Sequence, residues 1–245
     1  AASRQAYWER TDEPCVRFFQ RILEQVMLSK CGPHQIQSIK RQGRFKRILL
    51  QDSTIIKLPL RLFEVFSGVK NAHAAVCNAR IQGIYDLLSG RFIHFSIDPY
   101  SKNDQAATME IPIQPRDLIL RDRGYFRIQA VEAHKQAGAD SINRYKHPTV
   151  FYDPITGQRI DLLELLTRNG SVDMLVSAGT ERTVGLRLCA IPAPEETANL
   201  RRMRAKKEMH HPPSRELLTL MSWTIFLTTI TDPAVTFREI AALYA

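Results

Sequence analysis

Long apolar runs are missing from this sequence. No run approaches the ~20 residues that a membrane-spanning helix needs. The longest, residues 217–230, is interrupted by Thr and Ser and predicts a buried strand. The first 23 residues carry four arginines and no apolar core, so no secretory signal is visible. The four cysteines are widely spaced without a Cys-x-x-Cys pair, which argues against a zinc module or a disulfide framework. These absences predict a cytoplasmic protein with reduced thiols and no membrane contact.

Acidic residues are the minority, so the chain is basic, with a net charge of +9. Its 44% hydrophobic content predicts a globular core. Two segments concentrate the positive charge without any acid. They contain Lys40, Arg41, Arg44, Lys46 and Arg47, and then Arg201, Arg202, Arg204, Lys206 and Lys207. Such segments attract phosphate backbones through counterion release, which predicts a polyanionic partner. A solvated face that binds nothing is the alternative for either segment.

Two apolar segments each deliver an aspartate at or near their end. Residues 48–54 read Ile-Leu-Leu-Gln-Asp-Ser-Thr and place Asp52 in a predicted strand. Residues 118–126 read Leu-Ile-Leu-Arg-Asp-Arg-Gly-Tyr-Phe and place Asp122 just after a second strand. Carboxylates are hard oxygen ligands that suit Mg²⁺ or Mn²⁺. We therefore predict that these two aspartates hold metal and are catalytic.

Each of these acids has a simpler alternative role. Asp52 could cap a backbone amide, and Asp122 could form an ion pair with a flanking arginine. Asp86 and Asp104 are weaker ligand candidates, with structural or capping roles preferred. Arg123, directly after the second aspartate, could contact phosphate as a donor fork.

The periodicity predicts an α/β protein in four parts. Residues 1–45 form an N-terminal helical segment with an amphipathic helix at 12–31. Residues 46–139 form the first part of a core, with a strand at 46–59, a hairpin at 73–98, a short helix from 104, a strand at 117–122 and a helix at 125–137. Residues 140–192 are rich in β-strands, predicted at 148–152, 172–178 and 184–191. Residues 193–245 hold a charged helix to about 210, a core strand at 217–229 and a last helix at 237–244.

The two aspartate motifs, in this order, resemble the DDE transposases of bacterial insertion sequences of the group called family four. Residues 49–54 match the first catalytic strand of that family, and residues 120–126 match its Asp-Arg-Gly-Tyr-Phe motif. Residues 85–90 and 103–105 resemble the hairpin and the Asn-Asp-Gln that the family often carries between them. The resemblance implies a ribonuclease-H-like mixed sheet, in which residues 140–192 are a β-rich insertion.

The third acid of the family is a Glu in a Tyr-x-x-Arg-x-x-x-Glu-x6-Lys signature. Tyr244 resembles its first residue, and the sequence ends one residue later, before the Arg, Glu and Lys. Glu239 precedes that tyrosine, and we expect it on the outer face of the last helix. From this we expect a fragment of a longer protein or a truncated element, inactive alone because the third acid is missing.

The resemblance implies Mg²⁺-dependent (or Mn²⁺-dependent) DNA cleavage and strand transfer by a homodimer at the bacterial nucleoid. Asp52 and Asp122 would hold the metals, and Arg123 and the two basic segments would hold the phosphates of transposon-end and target DNA. Two alternatives stay open: an inactive DNA-binding remnant, and a ribonuclease-H-like nuclease unrelated to transposition.

Overall fold

A computed structural model gives the fold. It describes residues 14, 15, 17, 18, 21, 22, 43–66, 76–101, 112–179, 181–182, 184–208 and 211–244. The chain divides into two compact units, residues 1–101 and residues 102–245. The described residues before position 23 are helical, in agreement with the helix predicted there. The helix predicted from 104 lies outside the described residues.

Alternating apolar residues build the first unit as a three-stranded antiparallel sheet. Its strands are β1 (Arg47–Lys57), β2 (Asn78–Asp86) and β3 (Arg91–Pro99), with β2 in the middle. The turn between β2 and β3 contains Gly90 at φ +69°, a backbone conformation that glycine adopts without strain. The predicted first strand and hairpin are therefore confirmed. The pairing sets Asp52 of β1 opposite Gly83 of β2.

Asp86 fixes the end of this sheet. It is almost fully buried, and its carboxylate accepts hydrogen bonds from the backbone N–H groups of Ile48 (3.1 Å), Leu88 (3.1 Å) and Ser89 (3.3 Å). These bonds join the start of β1 to the hairpin turn. Asp86 is therefore a structural residue, as the sequence predicted.

The second unit begins with a parallel strand–helix–strand unit. Strand β4 (Asp117–Arg121) is buried along its whole length. A 3-10 turn (Arg123–Tyr125) and helix α1 (Ile128–Gln136) lead to β5 (Asp140–Arg144), which pairs with β4 in parallel. Parallel neighbours require such a crossover, and the helix covers one face of the sheet.

The remaining described elements of the second unit are β6 (Phe151–Tyr152), β7 (Arg159–Ile160), α2 (Leu162–Asn169), β8 (Val172–Ala178), β9 (Val184–Pro192), α3 (Glu195–Glu208), α4 (Arg215–Leu220), β10 (Trp223–Thr228) and α5 (Phe237–Tyr244). The sheet of this unit has the strand order β4-β5-β10-β9-β8-β6-β7. In this order β4 and β5 are parallel and the other neighbouring pairs are antiparallel. The sheet is therefore mixed, and the predicted α/β class is confirmed.

Two parts of this unit differ from the sequence prediction. Strand β5 was not predicted, because its Ser141 and Asn143 are polar although both are buried. The strand predicted for residues 217–229 is wrong in its first part, where helix α4 lies. Ser214 caps that helix, its Oγ accepting from the backbone N–H of Leu217 at 3.1 Å.

The main core of the second unit lies on one face of the sheet. It joins α1 and α2 to strands β8, β9 and β10, with Leu166, Leu186, Leu188 and Leu227 essentially inaccessible. Of the strands in the predicted insertion, β9 pairs directly with β10 and β8 pairs with β9, so they belong to the same sheet. None of the helices in the described residues is both long enough and apolar enough to cross a membrane.

Candidate functional site

Asp52 lies in the middle of β1 with an exposed side chain. Its neighbour Gln51 is buried, as the alternation of a strand requires. One oxygen of Asp52 accepts from the backbone N–H of Ser53 at 2.8 Å, a bond to the next residue in sequence. Asp52 therefore caps a backbone amide, which is the alternative role considered for it from the sequence. The side chain remains exposed to solvent.

Asp122 follows the last residue of β4 directly and precedes the 3-10 turn. In the described part of the chain its carboxylate makes no capping hydrogen bond to that turn. Tyr125 and Phe126 are buried, while Asp122 and Arg123 are exposed. The two aromatic rings therefore anchor the motif in the core, and the acid and the arginine are exposed at the strand end.

Helix α5 reaches the same strand end. The hydroxyl of Tyr244 donates to the backbone carbonyl of Arg121 at 3.1 Å, one residue before Asp122. The Tyr244 ring also packs against Phe226 of β10, with ring centroids 5.0 Å apart. The last turn of α5 therefore lies beside the end of β4 that carries Asp122.

Glu239 begins this helix in a capping role. Its carboxylate accepts from the backbone N–H of Thr236 at 2.7 Å, and the Thr236 hydroxyl accepts from the Glu239 N–H at 3.3 Å. This reciprocal pair is a capping box. The structure thus gives Glu239 a helix-capping function.

Arg121 is a buried cation directly before Asp122, and the sequence predicted no role for it beyond a possible ion pair. It is 1% exposed, and burial lowers its pKa to about 9. His134 of α1 is also buried, and burial, with the charge of Arg121, lowers its pKa to about 3. In the sequence, burial of Arg121 could have been inferred only from its position in a strand that is buried on both faces.

A cavity lined by three arginines lies in the second unit. It is partly open to solvent, and its empty space, including the open part, is about 420 Å³. The pKa of Arg201 is lowered by burial and by the positive charges of Arg144 and Arg123. Burial, and then the negative charge of Glu216, raises the pKa of Tyr145 to about 12. The lining residues are Arg123, Arg144, Tyr145, His147, Arg201, Leu217, Leu220, Met221, Trp223 and Ile225.

Aromatic rings and backbone carbonyls hold two of these arginines in place. The guanidinium carbon of Arg144 lies 5.6 Å from the ring centroid of Phe226 and 5.9 Å from that of Tyr244. Arg201 donates to the carbonyl of Trp223 at 3.0 Å and to the Thr224 hydroxyl at 3.1 Å. The positive charges of Arg144 and Arg123 repel that of Arg201. A bound anion would relieve this repulsion.

The three arginines predicted on α3 have different environments. Arg202 donates from Nε to the carbonyl of Leu218 at 3.1 Å, from Nη1 to Asn199 Oδ1 at 2.7 Å, and from Nη2 to the Ser222 hydroxyl. Arg201 and Arg202 are half-buried, and Arg204 is exposed. The exposed cationic face of α3 therefore begins at Arg204.

The first predicted basic segment is described only in part. Arg44 is half-buried, with its guanidinium carbon 5.8 Å from the centroid of the Phe45 ring. Lys40, Arg41 and Asp104 lie outside the described residues. Within the residues that are described, no three His, Cys, Asp or Glu side chains are gathered closely enough to hold a metal ion.

Comparison with known proteins identifies the family. Residues 43–243, most of the chain, match the transposase DDE domain. The chain belongs to this family. The match includes both aspartate motifs, both units' sheets and helix α5 up to Leu243, and it agrees with the ribonuclease-H-like fold class predicted from the sequence.

Several relatives are insertion-sequence transposases. That of element IS231B from Bacillus thuringiensis subsp. berliner is 32% identical over 140 residues, which cover 56% of this chain and 29% of the relative. That of IS231D from Bacillus thuringiensis subsp. finitimus is 33% identical over 140 residues, with the same coverage. That of IS1151 from Clostridium perfringens is 23% identical over 268 residues, which cover 99% of this chain and 56% of the relative. The chain thus spans about half or less of the length of these relatives.

Divalent metal dependence is general in this family. The two exposed carboxylates fit such an ion by their donor chemistry, because carboxylate oxygen is the ligand that hard divalent cations prefer. Asp86 fits less well, since its oxygens already accept three backbone hydrogen bonds.

Proposed function

We propose that this chain is the catalytic part of an insertion-sequence transposase that cleaves DNA strands and transfers them with the help of a divalent metal. One observation carries the proposal. The exposed Asp122 carboxylate and the arginine-lined cavity share one strand end, joined through Arg123. An acid that can hold a cation beside arginines that can hold phosphate is the arrangement that phosphoryl transfer requires.

We assign Asp52 and Asp122 as the residues that would hold Mg²⁺ or Mn²⁺. A bound divalent ion supplies polarisation of the attacking and leaving oxygens of a phosphodiester. The chain's contribution is to present two carboxylates that the fold leaves exposed. Both must be ionised to act as ligands.

The cationic side chains would hold the DNA backbone. Arg123, Arg144 and Arg201 offer donor forks in the cavity, and Arg204 extends the surface along α3. Phosphate contacts of this kind fix the position of DNA without reading its sequence. The partner in this proposal is double-stranded DNA at transposon ends and targets, bound by two copies of the chain in the bacterial cytoplasm.

Tyr244 supports a finer assignment to insertion-sequence family four. It resembles the first residue of that family's Tyr-x-x-Arg-x-x-x-Glu signature, and its hydroxyl donates to the carbonyl of Arg121, next to Asp122.

Metal titration tests the proposal. Mn²⁺ binding is measured by calorimetry and by paramagnetic broadening for the wild type, Asp52→Asn and Asp122→Asn. Asp153→Asn serves as a matched control, because Asp153 is a half-buried hairpin residue whose carboxylate accepts from the backbone N–H groups of Ile155 and Thr156. We expect each active-site variant to bind Mn²⁺ at least about 10-fold more weakly, whereas the control keeps wild-type affinity. Equal affinity in all four proteins would contradict the assignment.

DNA binding without cleavage is the second candidate function. It is favoured by the finding that the described residues contain no cluster of three or more ligating side chains. Steeply salt-dependent DNA binding by a wild type that binds no Mn²⁺ would support this alternative over the enzyme.

A further inference from the structure

Arg187 joins the β8–β9 part of the sheet to the turn that starts helix α5. It lies on β9 and is 7% exposed. Its Nε and Nη2 donate to the two carboxylate oxygens of Asp173 on β8, at 2.6 and 2.7 Å. Its Nη1 donates to the backbone carbonyls of Asp232 (3.1 Å) and Val235 (2.7 Å). One guanidinium thus uses all three nitrogens on two separate parts of the chain.

The turn that Arg187 binds is the one that sets where α5 begins. The Asp232 carboxylate shapes it by accepting from the backbone N–H of Ala234 at 2.9 Å. Val235 is buried, and Thr236 follows as the cap of α5. The two carbonyls point at Arg187, which fixes their direction, so the guanidinium holds the first turn of the helix against the sheet.

The other end of α5 is held by Tyr244. The helix has eight residues, a length of about 12 Å. Its Ile240 is fully buried, and its Tyr244 hydroxyl binds the carbonyl of Arg121. Because a short helix behaves as a rigid rod, an anchor at each end determines its tilt on the sheet.

We infer that Arg187 is a positioning residue for the Asp122 strand end, acting through the turn at 232–235 and helix α5. Its catalytic meaning rests on the proposed function, since it assumes that Asp122 belongs to the active site. The mechanical step does not depend on that assumption, because it is built from contacts within the second unit.

Arginine is required here for its shape as well as its charge. A lysine has one nitrogen and cannot span a carboxylate and two carbonyls at once. Asp173 keeps the fork aligned, and the Arg187 guanidinium lowers the pKa of that carboxyl. Arg187→Lys therefore retains the positive charge and removes most of the geometry.

Hydrogen exchange tests the mechanical step. In Arg187→Lys we expect the amides of residues 237–244 to exchange about 10-fold faster or more, with β4 and β5 unchanged. Arg159→Lys is the matched control, an exposed arginine on β7 of the same sheet that should alter nothing. Unchanged protection of α5, or an equal loss across the whole unit, would overturn the inference.

A double-mutant cycle separates positioning from a purely local role. Arg187→Lys and Tyr244→Phe each loosen one end of α5, so their effects on exchange should not multiply. Once one end is free, loss of the other anchor changes less. Independent, multiplying effects would show that Arg187 does not act through the helix.

Mn²⁺ titration of the same variants connects the helix to the proposed site. If the wild type binds Mn²⁺ through Asp122, Arg187→Lys should bind it about 10-fold more weakly, the low end of the loss seen for supporting residues around metal ligands. Arg159→Lys should bind normally. Wild-type affinity in Arg187→Lys would overturn the positioning role. A wild type that binds no Mn²⁺ would overturn the proposed function instead, and the exchange cycle would still decide the mechanical step.

Discussion

Arg202 and Arg204 lie two residues apart on helix α3, and the structure predicts opposite consequences when each is replaced. Arg202 donates three hydrogen bonds to α3, α4 and the turn before β10. Arg204 is exposed on the helix surface. Sequence alone places both in the same basic segment and gives both the same DNA-binding role.

Replacement of Arg202 by Lys keeps the charge and loses at least two of the three bonds. At about 0.5–1.5 kcal/mol for each bond, we expect the free energy of unfolding to fall by about 1–3 kcal/mol. Because the side chain is half-buried, the lower part of that range is expected. For a chain of this size the midpoint of thermal unfolding should fall by about 2–4 °C for each kcal/mol. Urea denaturation measures the free energy directly.

Replacement of Arg204 by Ala should leave unfolding within about 0.5 kcal/mol of the wild type. The affinity for a short mixed-sequence duplex should decrease, and the dependence of log affinity on log salt should become shallower by about 0.9 if one phosphate contact is lost. In Arg202→Lys that slope should stay at the wild-type value because the charge remains. Arg204→Lys is the control and should match the wild type in both assays.

The reverse pattern would refute this reasoning. If Arg202→Lys unfolds like the wild type, its three bonds do not stabilise the fold. If Arg204→Ala keeps the full salt slope, the exposed face of α3 does not contact DNA, and the basic segment is only a solvated surface.

Two further predictions concern buried groups. Asp86→Ala removes the acceptor of three backbone N–H groups, so the free energy of unfolding measured in urea should fall by about 2–4 kcal/mol. The Mn²⁺ affinity at Asp52 and Asp122 should not change. A loss of metal binding in a folded Asp86→Ala protein would contradict the structural role of Asp86. Because the pKa of His134 is lowered to about 3, the unfolded chain binds more protons below about pH 6.5. The free energy of unfolding should therefore fall as the pH drops from about 6.5 towards 3. His134→Gln should make the free energy depend less on pH in this range. An unchanged pH dependence in this variant would exclude His134 as its source.

Short-range patterns predicted the strands that deliver the two aspartates. β1 and β4 are apolar runs bounded by turn residues, and Gly90 marks the hairpin between β2 and β3. These signals are local, because each depends on residues that are neighbours in sequence. The capping role of Glu239 was also readable in principle from the Thr236-x-x-Glu239 spacing.

Long-range contacts account for what the sequence did not predict. β5 is polar, yet it is buried because Thr229 supplies a partner: the Ser141 N–H donates to the Thr229 hydroxyl at 2.8 Å, and Thr229 donates to Asp140 at 2.9 Å. Residues Leu217 to Leu220 begin a largely apolar run, interrupted by Thr and Ser, in which periodicity cannot distinguish helix from strand. Only the Ser214 cap and the packing of α4 decide it.

The orientation of side chains on α3 was equally inaccessible. The helix is polar around most of its circumference, so spacing does not reveal which arginine faces the sheet. The neighbours of Arg202 are Leu218 and Ser222, which follow it by 16 and 20 residues. A basic cluster in a sequence therefore gives an upper limit to the number of side chains that can contact phosphate.

The aspartates can be sorted by what the fold already requires of them. Asp86 accepts three backbone N–H groups, Asp117 is fully buried and accepts from Gln114, and Asp161 caps helix α2 through the Glu164 N–H. A carboxylate used in this way has few lone pairs left for a cation. Asp52 and Asp122 lie on or directly after core strands, and each keeps an exposed carboxylate. Asp52 gives one oxygen to a single bond from the Ser53 N–H, and Asp122 does not cap the turn that follows it. A strand that fixes the position of an acid and leaves most of its lone pairs available suits a metal ligand.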